Sequence, residues 1–167
     1  MKKYCFDTSG ISNPLETMPE DIHEWMWEWF CDFIRSGAIA VTTEIYDEMC
    51  HIEGTVGDTI RDNKPALVLE IEFGEWDWEV YTQNIDLICT SQHDFISEYS
   101  GGSPKTVCLN DISIVALAKT LGLPVVSMES FVRDAGAKKR RIPNVCEIEG
   151  VQHLTFNQCL RTEKARK

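Results

Sequence analysis

Asp7 closes the short apolar run Tyr4-Cys5-Phe6, with Thr8 and Ser9 following at once. An acid delivered to the carboxyl end of a first strand stands where open α/β sheets bind their ligands. A second run, Leu123-Pro124-Val125-Val126, ends in a similar way, with Ser127 and then Glu129. Three further acids can join these. Glu44 and Glu48 lie four apart on a predicted helix and so share a face. Asp111 opens the most regular helix in the chain, where the helix dipole favours negative charge. Gathered carboxylates repel one another, and protons or a cation must offset that repulsion. Oxygen donors of this kind suit Mg²⁺ or Mn²⁺, which can activate a water against a phosphodiester. Taken singly, Glu44, Glu48 and Asp111 also read as ordinary helix residues. Asp7 does not, because an acid on a buried strand needs a partner.

The elements that would position these acids follow from periodicity and punctuation. A strand over about 3–7 leads into a turn at Gly10, Asn13 and Pro14. Asp21 is the expected cap of a helix carrying Met26, Trp29, Phe30 and Phe33, which Gly37 ends. Ala38–Val41 reads as a short buried strand, and Thr42-Thr43 cap the helix bearing Glu44 and Glu48. Residues 63–99 look helical in pieces, ambiguous around Gly74, and Ser100-Gly101-Gly102 with Pro104 marks a loop. Asn110 is the expected cap of the helix 111–121, which Gly122 terminates. A strand over 124–127 follows directly. Strands alternating with helices predict an α/β fold with a central parallel sheet. The tryptophans Trp25, Trp27, Trp29, Trp76 and Trp78 read as core or helix seams rather than a base-stacking surface.

At 167 residues and 43% hydrophobic, the chain has the composition of a globular domain. No apolar run approaches the ~18 residues of a membrane span. In Met1-Lys2-Lys3-Tyr4-Cys5-Phe6-Asp7 a charge arrives before any signal-peptide core can develop, so a cytoplasmic protein is expected. Seven cysteines without a Cys-x-x-Cys pair point to reduced thiols and away from structural zinc. The net charge of −11 argues against a broad electrostatic grip on nucleic acid. The run Lys138-Lys139-Arg140-Arg141 is the local exception.

Four segments together resemble PIN-domain nucleases, in particular an uncharacterised bacterial, toxin-like branch. They are Tyr4–Ser9, Thr43–Met49, Asn110–Ala118 and Val125–Glu129, with Lys139–Cys146 and Leu154-Thr155-Phe156 closing the match. The resemblance implies a three-layer α/β/α PIN-like domain over 1–160 with a basic tail at 161–167. It implies a metal-dependent endoribonuclease acting on single-stranded RNA, the toxin of a toxin–antitoxin pair. Carried over, Asp7, Glu48, Asp111 and Glu129 are the catalytic acids, the first three holding Mg²⁺ or Mn²⁺. Ser9, Ser127 and Glu44 are supporting residues, and Lys138, Lys139, Arg140 and Arg141 contact RNA. The fourth segment departs from the commonest pattern by offering Glu129 where Asp is usual. Expected partners are single-stranded RNA, an antitoxin protein and a second copy in a homodimer, with no membrane. The rival readings are a PIN-like module that binds without hydrolysis, and another Mg²⁺-dependent phosphate-ester hydrolase. An aspartyl phosphatase usually wants a second acid two residues after the first, where Ser9 stands.

Overall fold

Tyr4–Phe6 (β1) pairs with Ile39–Ala40 (β2) on one side and Val125–Val126 (β3) on the other. His153–Leu154 (β4) pairs with β3, and all four strands run parallel in the order β2-β1-β3-β4. Cys5 faces Ala40 across one ladder and Val125 across the other. Parallel strands need cover on both faces, and β1, β2 and β3 are wholly buried. This computed structural model describes residues 1–69, 76–101, 106–133 and 139–164. Helices flank the sheet to give the expected three-layer α/β/α architecture. They are Ser9–Thr17 (α1), Glu24–Arg35 (α2), Thr43–Met49 (α3), Gly54–Asp62 (α4) and Lys64–Leu67 (α5), followed by Trp78–Ser91 (α6), Leu109–Leu121 (α7), Ile142–Glu149 (α8) and Phe156–Lys164 (α9). Among the described residues, no helix is long and apolar enough to cross a membrane.

Several local expectations change. The turn expected at Gly10–Pro14 is helix α1, with Pro14 inside it, because Ile11 and Pro14 bury one face. Gly10 permits this: a Cβ there would lie 2.7 Å from the Val126 carbonyl oxygen, which already accepts the Asp7 N–H. Gly10→Ala should therefore destabilise the protein by about 1–3 kcal/mol. A denaturant midpoint within error of wild type would contradict this close approach.

Asp21 does not cap α2. Pro19 starts a turn that receives the Ile22 and His23 N–H groups, which places His23 at the cap position. Glu20 instead accepts the Thr55 and Val56 N–H groups at the start of α4. Thr42 caps α3 as expected, Gly37 follows the end of α2 at φ 74°, and Gly122 ends α7 at φ 66°. Trp27 stacks on Phe156 in the core and Trp29 on Phe33, while Trp25 stays exposed. The cysteines form no disulfide. Past the tail boundary expected at residue 161, α9 continues to Lys164. The reason is Glu163, which is buried against the Tyr4 hydroxyl and Lys3 ammonium, both at 2.8 Å. Gly74, Lys138 and residues 165–167 lie outside the described residues.

Candidate active site

Asp7 follows β1 directly, and β1 lies between β2 and β3. The crevice beyond the β1 and β3 ends is thus the switch point that open parallel sheets use for ligands. Asp7 is buried, and its Oδ2 accepts the Ser9 N–H at 3.0 Å and a short hydrogen bond from the Ser9 hydroxyl. Ser9 Oγ in turn accepts the Met128 N–H at 3.1 Å, stitching the loop after β1 to the loop after β3. Burial pushes the Asp7 carboxyl above its ordinary value. The two Ser9 hydrogen bonds pull it down, and the charges of Glu129 and Glu48 push it further up.

Asp111 is the third residue of α7, and its Oδ2 reaches back to the Cys108 N–H at 2.8 Å. That reciprocal arrangement makes Cys108 the cap in place of Asn110. Burial pushes the Asp111 carboxyl up to about 7, against the Cys108 N–H, with the charges of Asp7 and Glu129 adding to the rise. Because Asn110 is inside the helix, its amide is free to serve elsewhere. It donates to Glu48 Oε1 at 2.6 Å, while the Thr8 hydroxyl donates to Oε2 at 2.9 Å. Glu48 is therefore held between the residue after Asp7 and the residue before Asp111.

This distinguishes Glu48 from Glu44. Glu44 is exposed and lines a separate 150 Å³ cavity with Trp76, Trp78 and Tyr81. Tyr81 feels it: burial first, and then the Glu44 charge, push that phenol up to about 12. Glu129 lies close enough to affect Asp7 and Asp111, but its own oxygens are engaged. Arg141 Nη1 donates to Oε1 at 3.0 Å and the Ile142 N–H, opening α8, donates to Oε2 at 2.8 Å. Ser127 is fully buried and its hydroxyl pairs with His153 Nε2 at 2.8 Å, so Ser9 is the serine that supports Asp7. Burial pushes His153 below its usual range, against the Glu129 charge.

The basic run is not a free strip of charge. Arg141 is committed to Glu129, and the Arg140 guanidinium lies 4.1 Å from the centre of the Phe95 ring. A groove of about 810 Å³ reaches Thr8 and Glu48 from the α1 side, past Ser12, Glu16, His51 and Glu53. It carries five acids, Glu16, Glu20, Asp21, Glu48 and Glu53, and no Lys or Arg among the described residues.

The donor set suits a hard cation. Asp7, Glu48 and Asp111 offer carboxylate oxygens, and two of the three hold their protons above the ordinary carboxylate range because they are buried among like charges. Zinc-type ligation is poorly served: burial above all pushes the Cys108 thiol up to about 12, and His153 is engaged by Ser127. Among the described residues no three Cys, His, Asp or Glu side chains form a ready-made coordination group. Each carboxylate oxygen named above is instead bonded to a donor of its own chain. Mg²⁺ keeps several of its waters, so it does not require a closed protein shell.

Sequence reasoning missed Asn110 and Thr8 as the residues that hold Glu48, and Arg141 as the partner of Glu129. The available signal was adjacency: each Glu48 partner sits next to a candidate acid. Partners that orient metal-binding groups are worth about 10–100-fold in affinity. Asn110→Ala should weaken Mn²⁺ binding within that range in titration calorimetry, with little change in melting temperature. Equal affinity would remove Asn110 from the site.

The family model described as "Domain of unknown function (DUF4411)" matches residues 4–167. No curated protein matches the chain.

Proposed function

The chain belongs to the DUF4411 family, and from its site we propose a divalent-cation-dependent endoribonuclease that cleaves single-stranded RNA. The observation that carries this reading is the meeting of buried Asp7 and half-buried Asp111, both carboxyls pushed above their ordinary values by burial, with Glu48 tied to both neighbouring positions at the sheet's switch point. Strongly perturbed acids in a crevice are the usual mark of a functional site. Asp7, Glu48 and Asp111 would hold Mg²⁺ or Mn²⁺. The bound ion would supply an activated water and a counter-charge for the phosphate.

The chain's own residues do the remaining work. Ser9 fixes the Asp7 carboxylate and, through Met128, the spacing between the two strand ends. Thr8 and Asn110 aim Glu48. Glu129 and Arg141 act as a clamp that seats the start of α8 beside the acids and lowers the net negative charge there. The resemblance to PIN-domain nucleases supports the same chemistry. It extends the proposal to the toxin of a toxin–antitoxin pair, with an antitoxin protein as partner. Ser9 counts against the phosphatase alternative, since it stands two residues after Asp7 where an aspartyl phosphatase usually has a second acid.

A substrate panel tests the assignment. With Mn²⁺, the protein should cleave single-stranded RNA internally, and faster than an RNA duplex or p-nitrophenyl phosphate. Preferential release of phosphate from the monoester would replace the nuclease reading with a phosphatase. For the toxin role, induced expression should arrest growth with the wild type and not with Asp7→Asn.

A further inference from the structure

A protein of net charge −11 that acts on a polyanion must hold it by something besides a broad positive surface. The groove on the α1 side carries five acids and no Lys or Arg among the described residues, a charge that repels phosphate. The other flank has different chemistry. Three rings fall between 93 and 99: His93 and Phe95 on a single 3₁₀ turn, and Tyr99 four residues on. His93 and Tyr99 stack on each other, centroids 5.0 Å apart and planes within 20°, and both are exposed. Arg140 stacks on Phe95.

Two bonds tether this segment to the acids. Glu98 Oε1 accepts the Leu109 N–H at 3.0 Å, fixing Tyr99's neighbour to the first turn of α7, two residues before Asp111. Arg140 is adjacent to Arg141, which grips Glu129. The Arg140 guanidinium is also short of acceptors. It makes one long contact, Nη1 to the Lys139 carbonyl at 3.5 Å, and its Nε is buried with no partner among the described residues. The buried Nε is closed to solvent, so it is the rest of this half-buried guanidinium, held by that single long contact among the described residues, that is left to meet a phosphate or a base edge.

We propose that His93, Phe95, Tyr99 and Arg140 form a stacking platform that receives the bases of single-stranded RNA beside the acid cluster. The inference rests on the nuclease reading and adds where the substrate lies and what holds it. Base–aromatic stacking tolerates any sequence and depends little on net charge. Stacked arginine adds a cation–π contact and leaves its edge for phosphate.

The test measures binding by fluorescence anisotropy with two ten-nucleotide probes, oligoadenylate and an abasic strand of the same backbone, with Ca²⁺ replacing Mg²⁺. Wild type should bind oligoadenylate at least ~10-fold more tightly than the abasic strand. The double variant His93→Ala, Tyr99→Ala should lose that preference, and Tyr99→Phe should keep it, because the ring and not the hydroxyl is used. The affected side chains are exposed, so melting temperatures report whether the variants fold. Equal binding of both probes by wild type, or an undiminished preference in the double variant, would overturn the platform while RNA cleavage by wild type kept the nuclease reading. Failure of wild type both to bind oligoadenylate and to cleave RNA would remove the two together.

Discussion

Asp7→Asn should reduce divalent-dependent RNA cleavage by about 10²–10³-fold or more, with the fold intact. The amide is the same size as the carboxylate, and its oxygen can still accept the Ser9 N–H and hydroxyl that hold Asp7 now. What disappears is the negative charge. A bound metal ion contributes several kcal/mol of transition-state stabilisation, and each 1.36 kcal/mol is tenfold in rate. Single-turnover cleavage measured beside a circular-dichroism spectrum separates loss of chemistry from loss of structure. A folded Asp7→Asn protein that cleaves within a few-fold of wild type would take Asp7 out of the centre.

Asp111→Asn should lose activity and gain stability in the same experiment, provided a chelator is present. The unfolded chain releases the Asp111 proton near the ordinary aspartate value, whereas the folded chain holds it up to about 7. Across that window the unfolded state binds fewer protons, so stability falls as pH rises from about 4 to about 7. Well above pH 7 the penalty is complete, at most about 4 kcal/mol. Asparagine removes the penalty and keeps an oxygen for the Cys108 N–H, at the loss of about 0.3–1 kcal/mol of helix-dipole interaction. At about 2–4 °C per kcal/mol for a chain of this size, the variant should melt several degrees above wild type at pH 8. Near pH 4 the two should coincide. Added Mn²⁺ should reverse the order at pH 8, because only wild type gains binding energy. A variant no more stable than wild type in chelator at pH 8 would mean that Asp111 carries no such strain.

Three of the four strands were legible because they are short, wholly apolar and punctuated, Tyr4–Phe6 by Asp7, Ile39–Ala40 by Thr42 and Val125–Val126 by Ser127, whereas the half-buried pair His153–Leu154 carries no such pattern. Asp7 and Asp111 stand out in the sequence by their places at a strand end and a helix start. Glu48 was preferred to Glu44 through the resemblance, since residues four apart share a helix face; packing adds the Thr8 and Asn110 bonds that set Glu48 beside Asp7 and Asp111. Side-chain partners were not legible. Ser127 looks like Ser9 in the sequence, yet the neighbouring strand β4 brings His153 to it. Arg141 looks like a solvated charge until α8 places it against Glu129. The helix at Gly10–Pro14 was hidden for a related reason. Its turn-forming residues are outweighed by burial of Ile11 and Pro14 and by the space that Gly10 leaves for the Val126 carbonyl.

The measurement closest to the central claim is a removal-and-return cycle on one wild-type preparation. A 5′-labelled single-stranded RNA is incubated with the protein in Mn²⁺, then with excess chelator, then after Mn²⁺ is restored. Asp7, Glu48 and Asp111 acting through a hard cation predict internal cleavage in the first step, none in the second and full recovery in the third. Cleavage that continues undiminished in chelator, or its absence with Mn²⁺ present, would contradict the assignment of this acid cluster as a metal-dependent nuclease centre.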